Sequence, residues 1–241
     1  LADTDLAALL ERIAPSLVVG DVSRVDRIAG GQGHTTYSRA DFVTKAQAAT
    51  IDEDAFYDLG EGIAVQLFTS GTTAAPKAAI LRHSNLLGYI LGTVEFAAAD
   101  EGDAALVVVP PYHIAGISAL MSSIYALRRI VMLPAFSPEG WVALVGEEQI
   151  TNAFVVPTML TRIVSVLEKQ GGDVSSLRAI SYGGGKMPLE VIQKALAMFP
   201  NTGFTNAYGL TETSSTIALL GPDDHRAALA SDDPKVRARL T

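Results

Sequence analysis

The sequence predicts an α/β fold of open, mostly parallel sheets flanked by helices. Three observations carry this. From residue 62 onward, short apolar, β-branched runs alternate with longer stretches of helical periodicity, the pattern of strands joined through crossover helices. Pro, Ser and Gly punctuate the joins, where helix starts and strand ends call for them. Segments rich in hydroxyl residues and glycine fall directly after apolar runs, the place where open α/β sheets collect ligands. At 241 residues, 49% hydrophobic, the chain suffices for one large domain or two small ones. A closed eightfold barrel is the competing arrangement at this length; the uneven spacing of the runs favours the open sheet.

In chain order, Asp5 to Ile13 sets Leu6, Leu9, Leu10 and Ile13 on one helical face. Leu17 to Val19 is a short strand. Arg24 to Gly62 is more polar and reads as a connector with one helix near Asp41 to Ala49. Its Gly30, Gly31 and Gly33 read as a plain turn, since no strong strand precedes them. His34 reads as solvated, and Asp52 to Asp58 as an acidic patch. Ile63 to Phe68 is a buried strand, Ala78 to Leu81 a short one, and Ser84 caps a helix to about Ala98. Ala104 to Val109 is a buried strand, Ile114 to Leu127 a helix, Ile130 to Leu133 a strand. Ser137 caps a helix carrying Trp141, Leu144 and Val145. Ala153 to Val156 is a strand, and Pro157 starts a helix burying Leu160, Ile163, Val164 and Leu167. Leu177 to Tyr182 is a strand, Pro188 opens a helix to about Phe199, and Phe204 to Ala207 and Thr216 to Leu220 are strands. Residues 1–61 form a leading segment of the same large domain, 62–220 its core, and 221–241 a trailing segment in which His225 reads as solvated.

Composition narrows the function. A net charge of −8 without a basic stripe argues against nucleic-acid partners. With no cysteine there is no disulfide, thiolate metal site or cysteine nucleophile. No apolar run approaches the roughly 18 residues that span a bilayer, and no signal peptide is visible; a cytoplasmic protein without an integral membrane segment is expected. The chain starts at Leu1 and ends in a charged stretch, Asp232 to Thr241, as a piece of something longer would.

The most informative stretch is Val65 to Lys77, VQLFTSGTTAAPK. An apolar run turns abruptly into Thr69, Ser70, Gly71, Thr72 and Thr73, and Pro76 and Lys77 close it. Such a loop has little bulk, several hydroxyls and backbone N–H groups free to face inward as an anion-holding concavity. Lys77 adds a compact positive charge. It departs from the common nucleotide-hydrolase loop, which needs Gly-Lys-Ser/Thr opening a helix. A flexible surface turn is the competing reading of the cluster by itself.

TSGTTAAPK followed by His83, Asn85 and Leu86 resembles the phosphate-loop signature of the adenylate-forming superfamily: acyl-CoA synthetases, peptide-synthetase adenylation domains and firefly luciferase. The usual form has Gly where Ala74 and Ala78 stand here. PPYHIAG (Pro110 to Gly116), SYGGGKMP (Ser181 to Pro188) and NAYGLTET (Asn206 to Thr213) match in order. The resemblance implies a partial N-terminal domain of acyl-CoA synthetase type, with 62–220 as its nucleotide- and acyl-binding core. It implies activation of a carboxylic acid by ATP with Mg²⁺, then thioester formation with coenzyme A as co-substrate. Both reactants of the first step are anions, so donors and positive charge must offset their repulsion. Thr69, Ser70, Gly71, Thr72, Thr73 and Lys77 are thereby expected around the β- and γ-phosphates, and Thr211 at the α-phosphate. Gly183, Gly184, Gly185, Asn206, Ala207, Tyr208 and Gly209 are expected around adenine. Glu212 is the expected metal ligand, since a carboxylate tolerates phosphates only across a cation; on sequence alone it reads equally as a helix N-terminal carboxylate. Lys77, Thr211 and Glu212 are the expected catalytic residues.

Tyr112, His113, Gly116 and Gly183 are the expected acid-binding residues. Amino-acid-activating relatives place an acid near His113 to pair with the substrate ammonium. None stands here, and an unpaired buried ammonium is costly, so a simple organic acid, of medium- or long-chain fatty type, is expected. Met121, Val156 and Met159 are candidates for an apolar pocket, with core packing the simpler reading. The resemblance also implies portions outside this chain: an early part of the large domain, a ribose-binding aspartate, a hinge, and a small C-terminal domain with an adenylation lysine. The chain by itself is accordingly expected to bind ATP weakly and turn over poorly. Two alternatives remain at this point, an acyl-AMP ligase loading a carrier protein and a non-catalytic nucleotide-binding module.

Overall fold

The computed structural model describes residues 3–29, 34–50, 61–69 and 77–240. The chain divides into two compact units, Leu1–Asp58 and Leu59–Thr241.

In the first unit, α1 (Asp3–Ile13) precedes β1 (Leu17–Gly20), α2 (Val22–Ala29), β2 (Thr35–Ser38) and α3 (Arg39–Ala48). β1 and β2 pair in parallel, Leu17 opposite Thr35, with α2 as the crossover. Ser38 Oγ accepts the Asp41 N–H at 3.0 Å and caps α3. The expected connector beyond Arg24 is thus corrected: it contains most of α2 and all of β2. The strand TTYS is held by main-chain pairing and carries no apolar alternation to announce it. His34 is half-buried, with an unpartnered Nε2, rather than solvated. Gly30, Gly31, Gly33 and the 52–58 acidic patch lie outside the described residues.

The second unit opens with an antiparallel hairpin, β3 (Ile63–Thr69) and β4 (Lys77–Arg82), in register Thr69 opposite Lys77. This corrects the expectation of a buried strand feeding a ligand loop of the parallel sheet: the hairpin is a separate two-stranded sheet with Ile63 and Ile80 exposed. α4 (His83–Thr93) follows. Its entry is fixed by Asn85 Oδ1 accepting the Arg82 N–H at 2.9 Å, not by Ser84. It ends five residues before Ala98, where Val94 turns extended.

The remaining strands form one sheet in the order β10-β9-β8-β7-β5-β6, all parallel except β10, which is antiparallel to β9. They are β5 (Ala104–Val107), β6 (Arg129–Met132), β7 (Asn152–Val155), β8 (Ala179–Gly183), β9 (Gly203–Leu210) and β10 (Ser215–Leu220). The crossovers are α5 (Ile114–Tyr125), α6 (Pro138–Glu147), α7 (Pro157–Gln170) and α8 (Leu189–Met198). Ser137 Oγ accepts the Gly140 N–H at 3.1 Å and caps α6, and Pro157 occupies the first turn of α7. The main core joins α6, α7 and α8 to the sheet, with Trp141, Ile150, Leu160, Ile163, Tyr182 and Phe204 fully inside. Among the described residues no helix is long and apolar enough to cross a membrane.

The trailing segment packs into this core through α9 (Pro222–Ala230), and α10 (Pro234–Arg237) follows. His225 is fully buried, which corrects its reading as solvated. Its Nδ1 lies 2.7 Å from the Gly221 carbonyl and its Nε2 2.8 Å from the Tyr182 hydroxyl. A carbonyl only accepts, so Nδ1 carries the proton and Nε2 accepts from the phenol. Burial pushes the Tyr182 phenol up to about 12, keeping it a donor. Burial also holds His225 below its ordinary range, against the opposing pull of the Gly221 carbonyl and the Asp224 charge. The native state therefore binds fewer protons at this site than the unfolded chain does, so stability is fullest above about pH 6.5 and falls as pH drops below it. Denaturant titrations at pH 7.5 and 5.5 are expected to show a loss of stability that shrinks in His225→Gln; an identical loss in the variant would contradict the assignment.

Candidate functional site

A cleft of about 810 Å³ opens along one face of the six-stranded sheet and over its carboxyl ends. Strand alternation builds the floor. Asn152 and Phe154 of β7 and Ala179 and Ser181 of β8 turn into the cleft, while Val155, Ile180 and Tyr182 turn into the core. α5 forms the facing wall. Its Ala115, Ser118, Ala119 and Ser122 fall on one helical face and are small, which keeps the space open. Gly116 lets the first turn of α5 settle on the segment that follows β5: a Cβ there would lie 2.3 Å from the Pro110 carbonyl oxygen.

At the carboxyl end, three elements converge. Thr69 and Lys77 face each other across the hairpin, their Cβ atoms about 5 Å apart by pairing geometry, and both line the cleft. β4 packs beside a one-turn 3-10 helix, Thr211–Thr213, and Thr211 and Glu212 line the same cleft. Thr213 pins that turn. Its Oγ1 accepts the Leu210 N–H at 2.9 Å and lies 2.9 Å from the Ser215 carbonyl. The chain leaves through Ser214 and Ser215 at φ 55° and 94°, left-handed backbone that costs about 1–3 kcal/mol per residue. Gly209 makes this return possible, since a Cβ on it would sit 1.7 Å from the Ser215 carbonyl oxygen.

The cleft wall therefore brings together Thr69, Lys77, His113, Gly184, Ala207, Gly209, Thr211 and Glu212. Ser70, Gly71, Thr72 and Thr73 lie outside the described residues. Tyr112, Gly116, Gly183, Gly185, Asn206 and Tyr208 are not on the wall. Asn206 and Tyr208 alternate to the other side of β9, leaving Tyr208 61% exposed. Gly183 serves the sheet itself, because its Cβ would lie 2.3 Å from the Ala207 carbonyl oxygen. Tyr208 also lies within β9, which runs on to Leu210, past the strand end expected at Ala207. Of the three candidates for an apolar pocket, Val156 lines the cleft; Met121 packs with Leu67, Leu81 and Leu86, and Met159 against the main core.

Sequence reasoning missed Ser118, Asn152, Ser181 and Arg128, which make much of the wall polar. The available signals were a serine inside an otherwise apolar helix and an arginine pair between apolar elements. Among the described residues neither Lys77 nor Glu212 has an ion-pair partner, and no group of three or more His, Asp or Glu is placed to hold a metal. A cation at Glu212 would thus take most of its ligands from elsewhere, as Mg²⁺ does when phosphate oxygens and water complete its shell. The donor set fits a polyanion at one end of the cleft and a flat or extended molecule along the sheet.

The AMP-binding enzyme family matches residues 1–236 of the chain. The chain is similar to 2-succinylbenzoate–CoA ligase of Bacillus licheniformis, 32% identical over 157 residues that cover 65% of this chain and 32% of that protein. It is similar to fatty acid–acyl-carrier-protein ligase ScoC of Streptomyces coeruleorubidus, 32% identical over 169 residues, 66% of this chain and 31% of that one. O-succinylbenzoate coenzyme A synthetase (MenE) from Bacillus subtilis, solved in complex with ATP and magnesium ion, shares the fold. Its TM-score is 0.72 at 24% identity, over 92% of this chain and 45% of that one. The chain spans about a third of the length of these curated relatives.

Proposed function

The chain belongs to the AMP-binding enzyme family, and from that premise we propose that the protein carrying it is an AMP-forming acid–CoA ligase. A substrate carboxylate oxygen attacks the α-phosphorus of ATP, the bond to pyrophosphate breaks, and an acyl-adenylate results. The thiol of coenzyme A then attacks the acyl carbon, loses its proton, and AMP leaves. The observation that carries this is the convergence of Thr69 and Lys77 with Thr211 and Glu212 on one cleft over the strand ends.

Lys77, Thr69 and the hydroxyl loop 70–73 would hold the β- and γ-phosphates, with Thr211 at the α-phosphate. Glu212 would be the protein ligand that holds Mg²⁺, and the ion would neutralise charge built up on the phosphates. Gly184 and Ala207, which line the cleft, are the adenine-side residues of the proposal, and His113 at the start of α5 orients the acid. Support for the metal and nucleotide comes from the solved relative that holds ATP and magnesium. The polar wall supports an acid with polar groups over a plain fatty chain, and the likeness to a 2-succinylbenzoate–CoA ligase points the same way. The likeness to ScoC favours a second reading of the acceptor alone, a carrier protein in place of coenzyme A.

Acid-dependent ATP–pyrophosphate exchange by the protein carrying this chain tests the proposal. Exchange that requires both Mg²⁺ and an organic acid is expected, and its absence over a broad acid panel would overturn the proposal. Adding coenzyme A or a loaded carrier separates the two acceptors.

A further inference from the structure

We propose that the end of the cleft remote from Lys77 and Glu212 is an anion subsite built on Arg128, so that the acid taken by this site carries a second anionic group. The inference rests on the acid-activating reading of the cleft and names its substrate class. Arg128 joins α5 to β6, and its backbone N–H donates to the Ser123 carbonyl at 2.8 Å. It lines the cleft beside Ser122, Ser123, Asn152 and Ala179, the amino-end residues of the strands and the last turn of α5. Gly184 lines the opposite end of the same cleft; from Ala179 to Gly184 the strand rises about 16 Å. The two ends suit the two ends of one extended molecule.

Among the described residues Arg128 supplies the one charged group at the remote end of the cleft, and it can only donate. Arg128 Nε is buried and has no hydrogen-bond partner among the described residues. A guanidinium keeps its charge in any protein environment, and a buried donor left unpaired is costly enough that native structures rarely keep one. Among the described residues no carboxylate forms an ion pair with Arg128. Asp100 and Asp103 pair with Arg178, and Glu148 pairs with Arg129. Asn152 adds to the donor set: its Oδ1 already accepts from Thr151 Oγ1 at 2.7 Å, which leaves its NH₂ facing the cleft. Midway along the wall, Ser118 Oγ is also buried and unpartnered. An alkyl chain threaded past these groups would leave each of them dehydrated and unpaired. A carboxylate, sulfonate or phosphate at the far end of the substrate would satisfy the guanidinium and the Asn152 amide together.

Straight-chain acids and the α,ω-dicarboxylic acids of equal length, with octanoate and suberate as the first pair, test this in the exchange assay. The protein is expected to favour the diacid by roughly 10- to 100-fold in kcat/KM, the range for a charge-assisted hydrogen-bonded contact. Arg128→Gln should collapse that ratio towards unity. Arg129→Gln, which removes only the surface pair with Glu148, should leave it as in wild type. Preference for the monoacid, or a ratio unmoved by Arg128→Gln, would overturn the subsite. If no acid supports exchange in any variant, the activation chemistry fails on its own. Calorimetric binding of suberate against octanoate then decides the subsite: weaker suberate binding in Arg128→Gln supports it, and unchanged binding overturns it.

Discussion

Glu212→Gln is expected to lower acid-dependent pyrophosphate exchange on the order of 100- to 1000-fold, the scale on which one charge-stabilising group acts in an active site. The substitution keeps the size of the side chain and removes only its charge. A neutral amide is a poor ligand for a hard dication, so the Mg²⁺ concentration needed for half-maximal exchange should rise as well. Fold stability should not move, because Glu212 is exposed and makes no ion pair among the described residues. Exchange within a few-fold of wild type at ordinary Mg²⁺ would remove Glu212 from the metal site. A fall in both activity and melting temperature would point to the turn instead of the charge.

Gly209→Ala carries the largest expected effect on stability. Its new methyl group would have to occupy space 1.7 Å from the Ser215 carbonyl oxygen and 2.9 Å from the Thr216 Cα, both backbone atoms that no rotamer change can move. Relief requires opening the closed end of the β9–β10 pair. The hydrogen bonds of Thr213 to Leu210 and Ser215 would go with it, together with the placement of Thr211 and Glu212. A loss of about 3 kcal/mol or more is expected, a fall in melting temperature of roughly 6–12 °C for a domain of this size, and loss of exchange. Gly88→Ala in α4 is the contrasting case. Nothing lies within 4 Å of its Cβ position, so removing a flexible helical glycine should stabilise by about 0.5–1 kcal/mol. Equal effects at the two positions would mean that the β9–β10 turn is looser than its geometry indicates.

Much of the sheet was legible from the chain, because burial leaves periodic marks. The run that became β5 is apolar and buried throughout, those of β7 and β8 are buried at alternate residues, and Ser137 and Pro157 announce their helices by capping chemistry that is local in sequence. Strand pairing left no such mark. Ile63 to Phe68 reads the same whether its neighbour is a parallel strand of the main sheet or, as here, the returning arm of a hairpin. β2 was invisible because its polar residues contribute backbone hydrogen bonds alone. His225 looked solvated among Asp223, Asp224 and Arg226, yet His225 and Ala228, one turn apart, form the inward face of α9. The motif residues drew attention to the carboxyl-end rim, where Lys77, His113, Thr211 and Glu212 do line one cleft. The remote end was missed since Arg128, Asn152 and Ser118 belong to no motif and come together only on the wall of the folded cleft.

A double-mutant cycle on Mg²⁺-ATP binding, followed by calorimetry with Lys77→Gln, Glu212→Gln and the pair, measures whether the hairpin amine and the turn carboxylate serve one polyphosphate. Each single change is expected to weaken binding, and the double variant to lose distinctly less than the sum, since both groups act on the same bound metal–phosphate unit. Strictly additive losses, or no loss in either single variant, would show that the two residues do not share a ligand.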